Sequence, residues 1–207
     1  MDTLPVPRHL RRLAGEIKQT AYSVEMRLRC PCGCECFRVE KNTWTEEEKR
    51  EMEAHEEALK KVICGYSFRR LPNGRFQHRR NLFGLIPLRW KYFDMPQAPC
   101  WWDVQCIRVI CEACQMTHVV FDSRLHGYEG WAAEWPEDTM AWQPRWRSAD
   151  RSVGAVTVCV ENRDFDAFLE DNPELTPEDC SDLYENISIR IQSDNGKSRE
   201  VFSRETA

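Results

Sequence analysis

Hydrophobic and polar positions alternate along several short stretches of this chain, and the alternation predicts a protein built mainly from strands. Val24, Met26 and Leu28 fall on one side of residues 22–29, the period-2 pattern of a half-buried strand. Phe37 and Val39 continue it beyond a run of cysteines. Residues 102–110, 118–121 and 153–160 read as further strands, and Ile187 to Ile191 with Val201 and Phe202 reads as a hairpin around Ser193 to Gly196. Leu10, Leu13 and Ile17 instead recur at helical spacing, which predicts a short amphipathic helix over 8–20. Trp44 precedes Thr45 and Glu48, a capping-box pair, so a helix is expected over 46–61, mostly facing water. Phe165, Phe168 and Leu169 suit a short helix, and Thr176 with Pro177 suits the start of another. Leu71 to Gly74 is a turn signal between two strands. The tryptophan-rich residues 131–148 read as an irregular cover or connector.

Composition narrows the class. The 207 residues are 42% hydrophobic and 30% charged, enough to bury a core. No apolar run approaches the ~18 residues of a membrane span. No apolar signal region follows the arginines of the first thirty residues. Eleven cysteines without an export signal point to a reducing cytoplasm, where thiols bind metal rather than one another. Charge is uneven. Residues 1–128 hold 21 Lys/Arg against 16 Asp/Glu, and residues 129–207 hold 8 against 18. Two such halves either meet different partners or attract each other.

The chemistry is concentrated in cysteines. Residues 30–36 read Cys-Pro-Cys-Gly-Cys-Glu-Cys and residues 111–114 read Cys-Glu-Ala-Cys. Two close pairs beside extended stretches are what a four-thiolate zinc site requires, and with every position filled by sulfur such a site is structural. Cys30 and Cys32 with Cys111 and Cys114 are the expected ligands, because Gly33 suits the first turn; Cys32/Cys34 and Cys34/Cys36 remain open as the first pair. A soft-metal cluster of Cys30, Cys32, Cys34 and Cys36, or a redox pair at 111 and 114, are the competing uses. Cys64, Cys159 and Cys180 read as small buried hydrophobes.

These cysteine pairs resemble the zinc-ribbon group, and residues 121–130 resemble a stretch in uncharacterised bacterial ribbon-containing proteins. The resemblance implies two metal knuckles at hairpin tips and one structural zinc. The expected fold is α+β: antiparallel zinc-ribbon-like hairpins with a large insertion and peripheral helices. The expected organisation is a ribbon domain over 1–130 with an insertion at 41–100, a connector over 131–150 and an acidic α+β unit over 151–207. A weak internal echo between the hairpins after Ile107 and after Ile189, each followed by Ser-Arg, makes that last unit a candidate metal-free ribbon.

Two other groups carry chemistry. His118, Asp122, His126 and Glu129 lie within twelve positions and can be read as metal ligands or an acid–base set. The plainer readings are a tight loop, with Asp122 and Arg124 bonding locally and Gly127 and Gly130 easing the turn, or a partner-binding loop. Residues 66–93 hold Arg69, Arg70, Arg75, Arg79, Arg80, Arg89 and Lys91, no acidic residue, and interleaved rings including Trp90. That mixture suits nucleic acid, or else a core whose arginines pair with nearby acids. No phosphate-binding glycine loop, nucleophile elbow or His-Glu-x-x-His motif is present. The function expected is non-enzymatic recognition of a protein partner, as an adaptor or immunity-like component. Nucleic-acid binding through 66–93 is the first alternative and a metal-dependent hydrolase the second.

Overall fold

The computed structural model describes residues 3–63, 66–72, 75–82, 86–93, 98–99, 101–132, 134–149, 153–193 and 196–206. In chain order it contains a 3-10 turn Arg8–Leu13, β1 Ala14–Gln19, β2 Ser23–Leu28, β3 Cys36–Thr43, α1 Glu46–Ile63, β4 Tyr66–Arg70, β5 Phe76–Leu82, β6 Ile86–Pro87, β7 Lys91–Phe93, β8 Cys106–Cys111 and β9 Thr117–Asp122. Then follow α2 Gly127–Ala132, α3 Glu137–Ala141, β10 Arg145–Ser148, β11 Gly154–Glu161, α4 Phe165–Asp171, β12 Asn186–Gln192 and β13 Ser198–Glu205. The strand pairs among them are antiparallel, and the class is α+β. Among the described residues no helix is long and apolar enough to cross a membrane.

The chain forms two compact units, one of Met1–Thr43 with Val104–Ala207 and one of Trp44–Asp103. The first is organised by one sheet in which β11 is central. β12 runs along one side of β11, with β13 beyond it. On the other side β11 pairs with β2 over Thr157–Glu161 and with β3 at Gly154 and Ala155. β3 pairs in turn with β8 and β10, and β8 with β9. The acidic unit expected over 151–207 shares this sheet: β11 is central to it, and β12 and β13 extend it to one edge. Gly154 is required where β11 changes partner, since a Cβ there would meet Gln192 O at 2.1 Å.

Burial explains the register. Val156, Val158 and Val160 of β11, Ile187, Ile189 and Ile191 of β12, and Val24, Met26 and Leu28 of β2 all point to one buried face. Leu10, Leu13, Phe165, Leu183 and Tyr184 belong to the same core. The alternate positions carry cross-strand ion pairs: Arg190 with Glu25 at 2.6 Å and Arg108 with Glu40 at 2.6 Å. Apolar-in, polar-out alternation is the pattern of an antiparallel sheet covered on one face. The basic and acidic halves meet in this unit. Arg11 makes a bidentate pair with Glu178 at 2.5 and 2.8 Å, and His9 reaches Asp182 at 2.8 Å.

Several expectations are corrected. The helix expected over 8–20 is a 3-10 turn followed by β1, because Leu10 and Leu13 satisfy the core at i,i+3 and the next residues pair with β2 at Ala14 and, past an irregularity, over Ile17–Gln19. The connector over 131–148 is ordered as the end of α2, α3 and β10. Residues near Thr176 form hydrogen-bonded turns rather than a helix; Thr176 and Asp179 still cap each other.

In the second unit, α1 begins with the expected capping box. Glu48 N donates to Thr45 Oγ1 at 3.1 Å and Thr45 N to Glu48 Oε2 at 2.5 Å. β5 pairs with β4, β6 and β7. Cys64, Phe83, part of the 71–74 turn and part of the 193–196 turn lie outside the described residues.

Candidate metal centre

Four cysteines are brought together by two turns of different construction. The second is a hairpin tip. Cys111 ends β8, and its N–H donates to Met116 O at 3.0 Å while Gln115 N donates to Cys111 O at 2.9 Å. Gln115 takes a left-handed conformation, φ 59°. The first turn is not a hairpin tip. It leaves β2 and enters β3, yet those strands do not pair with each other; both lie along one edge of β11, β2 at Thr157–Glu161 and β3 at Gly154 and Ala155. Cys30 N donates to Cys34 O at 2.8 Å and Gly33 N to Cys30 O at 2.7 Å, closing the loop with Gly33 at φ 90°. Glu112 N donates to Cys36 O at 3.0 Å, and Phe37 is opposite Cys111 in the β3–β8 ladder. The two turns are thereby held side by side. This departs from the zinc-ribbon expectation of two hairpin tips while delivering the same four sulfurs.

The ligand atoms of Cys30, Cys32, Cys111 and Cys114 all lie within 4.8 Å of one another. Cys30 Sγ is 3.5 Å from Cys114 Sγ, and Cys32 Sγ is 3.6 Å from Cys111 Sγ. A tetrahedral site with zinc–sulfur bonds of about 2.3 Å has sulfurs about 3.8 Å apart. The spacing fits that metal and far exceeds the ~2.05 Å of a disulfide. Cys30 and Cys111 are buried; Cys32 and Cys114 are at the surface. The electrostatics separate the thiols. Burial pushes Cys30 up to about 12. Burial acts the same way on Cys111, but the N–H groups of Cys114 and Ala113 and the thiols of Cys32 and Cys114 outweigh it and bring Cys111 down to about 6. N–H groups aimed at sulfur favour thiolate, the form a metal binds. Cys34 and Cys36 lie outside this group of four; Cys36 N donates to Cys34 Sγ at 3.3 Å. Cys180 is buried and Cys159 half-buried.

The other predicted group is dispersed. His118 borders the cysteines, its Nε2 4.0 Å from Cys30 Sγ, and burial lowers its pKa. Asp122 accepts from Arg124 Nε at 2.9 Å and from Arg124 Nη2 at 2.7 Å, and Arg124 also donates to Thr139 O and Trp142 O. His126 accepts at Nδ1 from Asp122 N–H at 3.0 Å and stacks on His9 at 3.6 Å between centroids. Glu129 is ion-paired with Arg204 at 2.5 Å. Each of the four is committed to a different partner, and among the described residues the cysteines are the one group placed to hold a metal. The Asp122–Arg124 bond is the local one the sequence offered; its tether to 139–142 carried no local signal.

A second concave feature was not legible in the sequence. Tyr128, Phe168 and Ala167 line a groove of about 780 Å³ whose remaining wall includes Glu129, Asp164, Asp171 and Glu185. Trp131 stands edge-on to Phe168 at 5.0 Å. The residues come from α2, α4 and the loop before β12, so only the fold gathers them. Comparison with protein-family models, curated proteins and solved structures returned no match.

Proposed function

We propose that this is a non-enzymatic zinc-binding protein in which one structural zinc, held by Cys30, Cys32, Cys111 and Cys114, stiffens a scaffold that recognises another protein. The observation that carries the reading is the four-sulfur geometry. Four thiolates fill a tetrahedral shell and leave no open position for water, so the ion's contribution is folding energy rather than chemistry. It joins the β2–β3 turn to the β8–β9 hairpin through ligands that are 79 residues or more apart in the chain.

Recognition falls to the surface of the same unit. An aromatic groove edged by Asp164, Asp171 and Glu185, with Glu129 already held by Arg204, suits the basic side chains of a partner, with rings for the stems and carboxylates for the charges. An adaptor or immunity-like role, in which an acidic face covers a basic partner, is consistent with the acidic second half. The test is calorimetric titration of the zinc-loaded protein with an arginine-rich peptide. Binding should be enthalpic, weaken with salt and fall about tenfold in an Asp164→Asn/Asp171→Asn variant. No binding, or equal binding by the variant, removes the groove from the account.

A further inference from the structure

The basic–aromatic segment 66–93 is not absorbed by that reading. In the Trp44–Asp103 unit, the pairings of Arg69 with Gln77, Ser67 with Arg79 and Gln77 with Tyr92 put Arg69, Gln77, Arg79 and Tyr92 on one face of the sheet. Two guanidinium groups lie over the Trp90 ring there. Arg69 Cζ lies 4.5 Å and Arg79 Cζ 4.7 Å from its ring centroid. Arg75 Cζ lies 4.3 Å over the ring of Tyr92, which is 57% exposed.

Among the described residues, Arg70, Arg79, Arg80, Arg89 and Lys91 have no carboxylate partner. Glu46 and Glu56 of α1 pair instead with Lys49 and Lys60 of the same helix. Arg69 gives two of its donors to Gln77 Oε1, at 3.0 and 2.7 Å, which fixes its plane; Arg79 Nε has no hydrogen-bond partner. Stacking occupies the flat side of a guanidinium, so with Arg79 Nε buried and Arg69 Nε and Nη2 spent on Gln77, the remaining Nη groups are the ones that would grip phosphate.

We propose that the sheet face of Arg69, Arg79, Trp90 and Tyr92 binds single-stranded nucleic acid, with the guanidinium edges on phosphates and the Tyr92 ring under a base. Single strands are favoured over duplex because the exposed ring needs an unstacked base to meet it, and a duplex offers only its charged edge. An acidic protein surface shares the charge but lacks the flat rings that Tyr92 complements.

The experiment is fluorescence anisotropy of the full-length, zinc-loaded protein with labelled 20-nucleotide single-stranded DNA and RNA, and with a duplex of the same sequence, from 50 to 200 mM salt. The proposal expects micromolar or tighter binding of one or both single strands, at least fivefold over duplex. Arg69→Gln/Arg79→Gln should weaken it tenfold or more and reduce the slope of log affinity against log salt by ~1.4, two phosphate contacts at ~0.7 each. Tyr92→Ala, at an exposed position, should weaken it about fivefold or more while the salt slope stays fixed. Circular dichroism of each variant guards against loss of fold. Absence of binding at 50 mM salt, equal affinity for duplex, or indifference to both variants in folded protein would overturn the proposal. So would a salt-sensitive dimer in sedimentation that is abolished by the arginine substitutions and accounts for the surface.

Discussion

Asp122→Asn should be among the most damaging conservative substitutions in this protein. Asp122 and Arg124 each have 9% of the side chain exposed. One carboxylate oxygen accepts from both Arg124 N and Arg124 Nε, and the other from Nη2. Arg124 then spends Nη1 on Thr139 O at 3.0 Å and Trp142 O at 2.9 Å. The pair therefore ties the end of β9 to α3 and its C-cap. Asparagine keeps the shape but turns an amide donor toward a guanidinium donor and leaves a buried cation uncompensated. Breaking one side of a buried pair costs about 3–5 kcal/mol; partial access to water at this site lowers the expectation to about 3 kcal/mol. The assay is urea unfolding of the zinc-loaded protein at pH 7, where the midpoint should fall with m unchanged. Hydrogen exchange should rise over residues 137–142. Replacing both partners, Asp122→Leu with Arg124→Met, should recover part of the loss, because no charge is stranded. A cost below about 1 kcal/mol for Asp122→Asn would refute the assignment of this pair as the tether. The sign with pH is fixed. Although burial opposes it, Arg124 holds Asp122 below the usual carboxylate range, so this stabilisation is present above about pH 4 and lost as pH falls through the folded value.

Further predictions follow the same reasoning. His126 is pushed down to about 3, first by burial and then by the neighbouring His9, with Asp182 and Asp122 opposing. Its stabilisation is therefore complete above about pH 6.5 and lost as pH falls toward 3, amounting to about 2 kcal/mol by pH 5; His126→Asn should flatten that part of the stability–pH curve relative to the parent, measured by urea unfolding at each pH. Asn42 is 5% exposed, donates to Val104 O and accepts from Cys106 N, so Asn42→Ala should cost about 2–4 kcal/mol in the same assay by leaving two buried backbone groups unpaired. Thr45→Ala should cost about 1 kcal/mol of α1 stability, read as faster exchange of the first-turn amides.

Sequence pattern revealed what is local here. The alternation of Val24, Met26 and Leu28 shows a strand because each faces the core, and Thr45 with Glu48 shows a helix start because the two cap each other. The metal group was legible for a related reason: a thiolate pair must be close in sequence to wrap one ion, so Cys111 and Cys114 announce themselves. The same logic fails between distant segments. Nothing in residues 23–43 says that β2 and β3 line up along one edge of β11, a strand more than a hundred residues later, instead of pairing with each other. That placement follows from three apolar faces sharing one core. His118, Asp122, His126 and Glu129 show the converse. Nearness in sequence suggested one site, but β9 carries His118 and Asp122, the turn and α2 carry His126 and Glu129, and each side chain meets a different neighbour. The acidic groove was hidden because Asp164, Asp171 and Glu185 look like ordinary surface charges until α4 and the loop before β12 bring them beside Tyr128.

The central claim is that Cys30, Cys32, Cys111 and Cys114 hold one structural zinc ion. Native mass spectrometry of the protein and of Cys111→Ser, with thermal unfolding of both, tests it most directly. One zinc per chain in the parent, lost in the variant together with a marked fall in melting temperature, is the predicted result. A parent that carries no metal when purified with zinc present, or a variant that keeps both its metal and its stability, would contradict it.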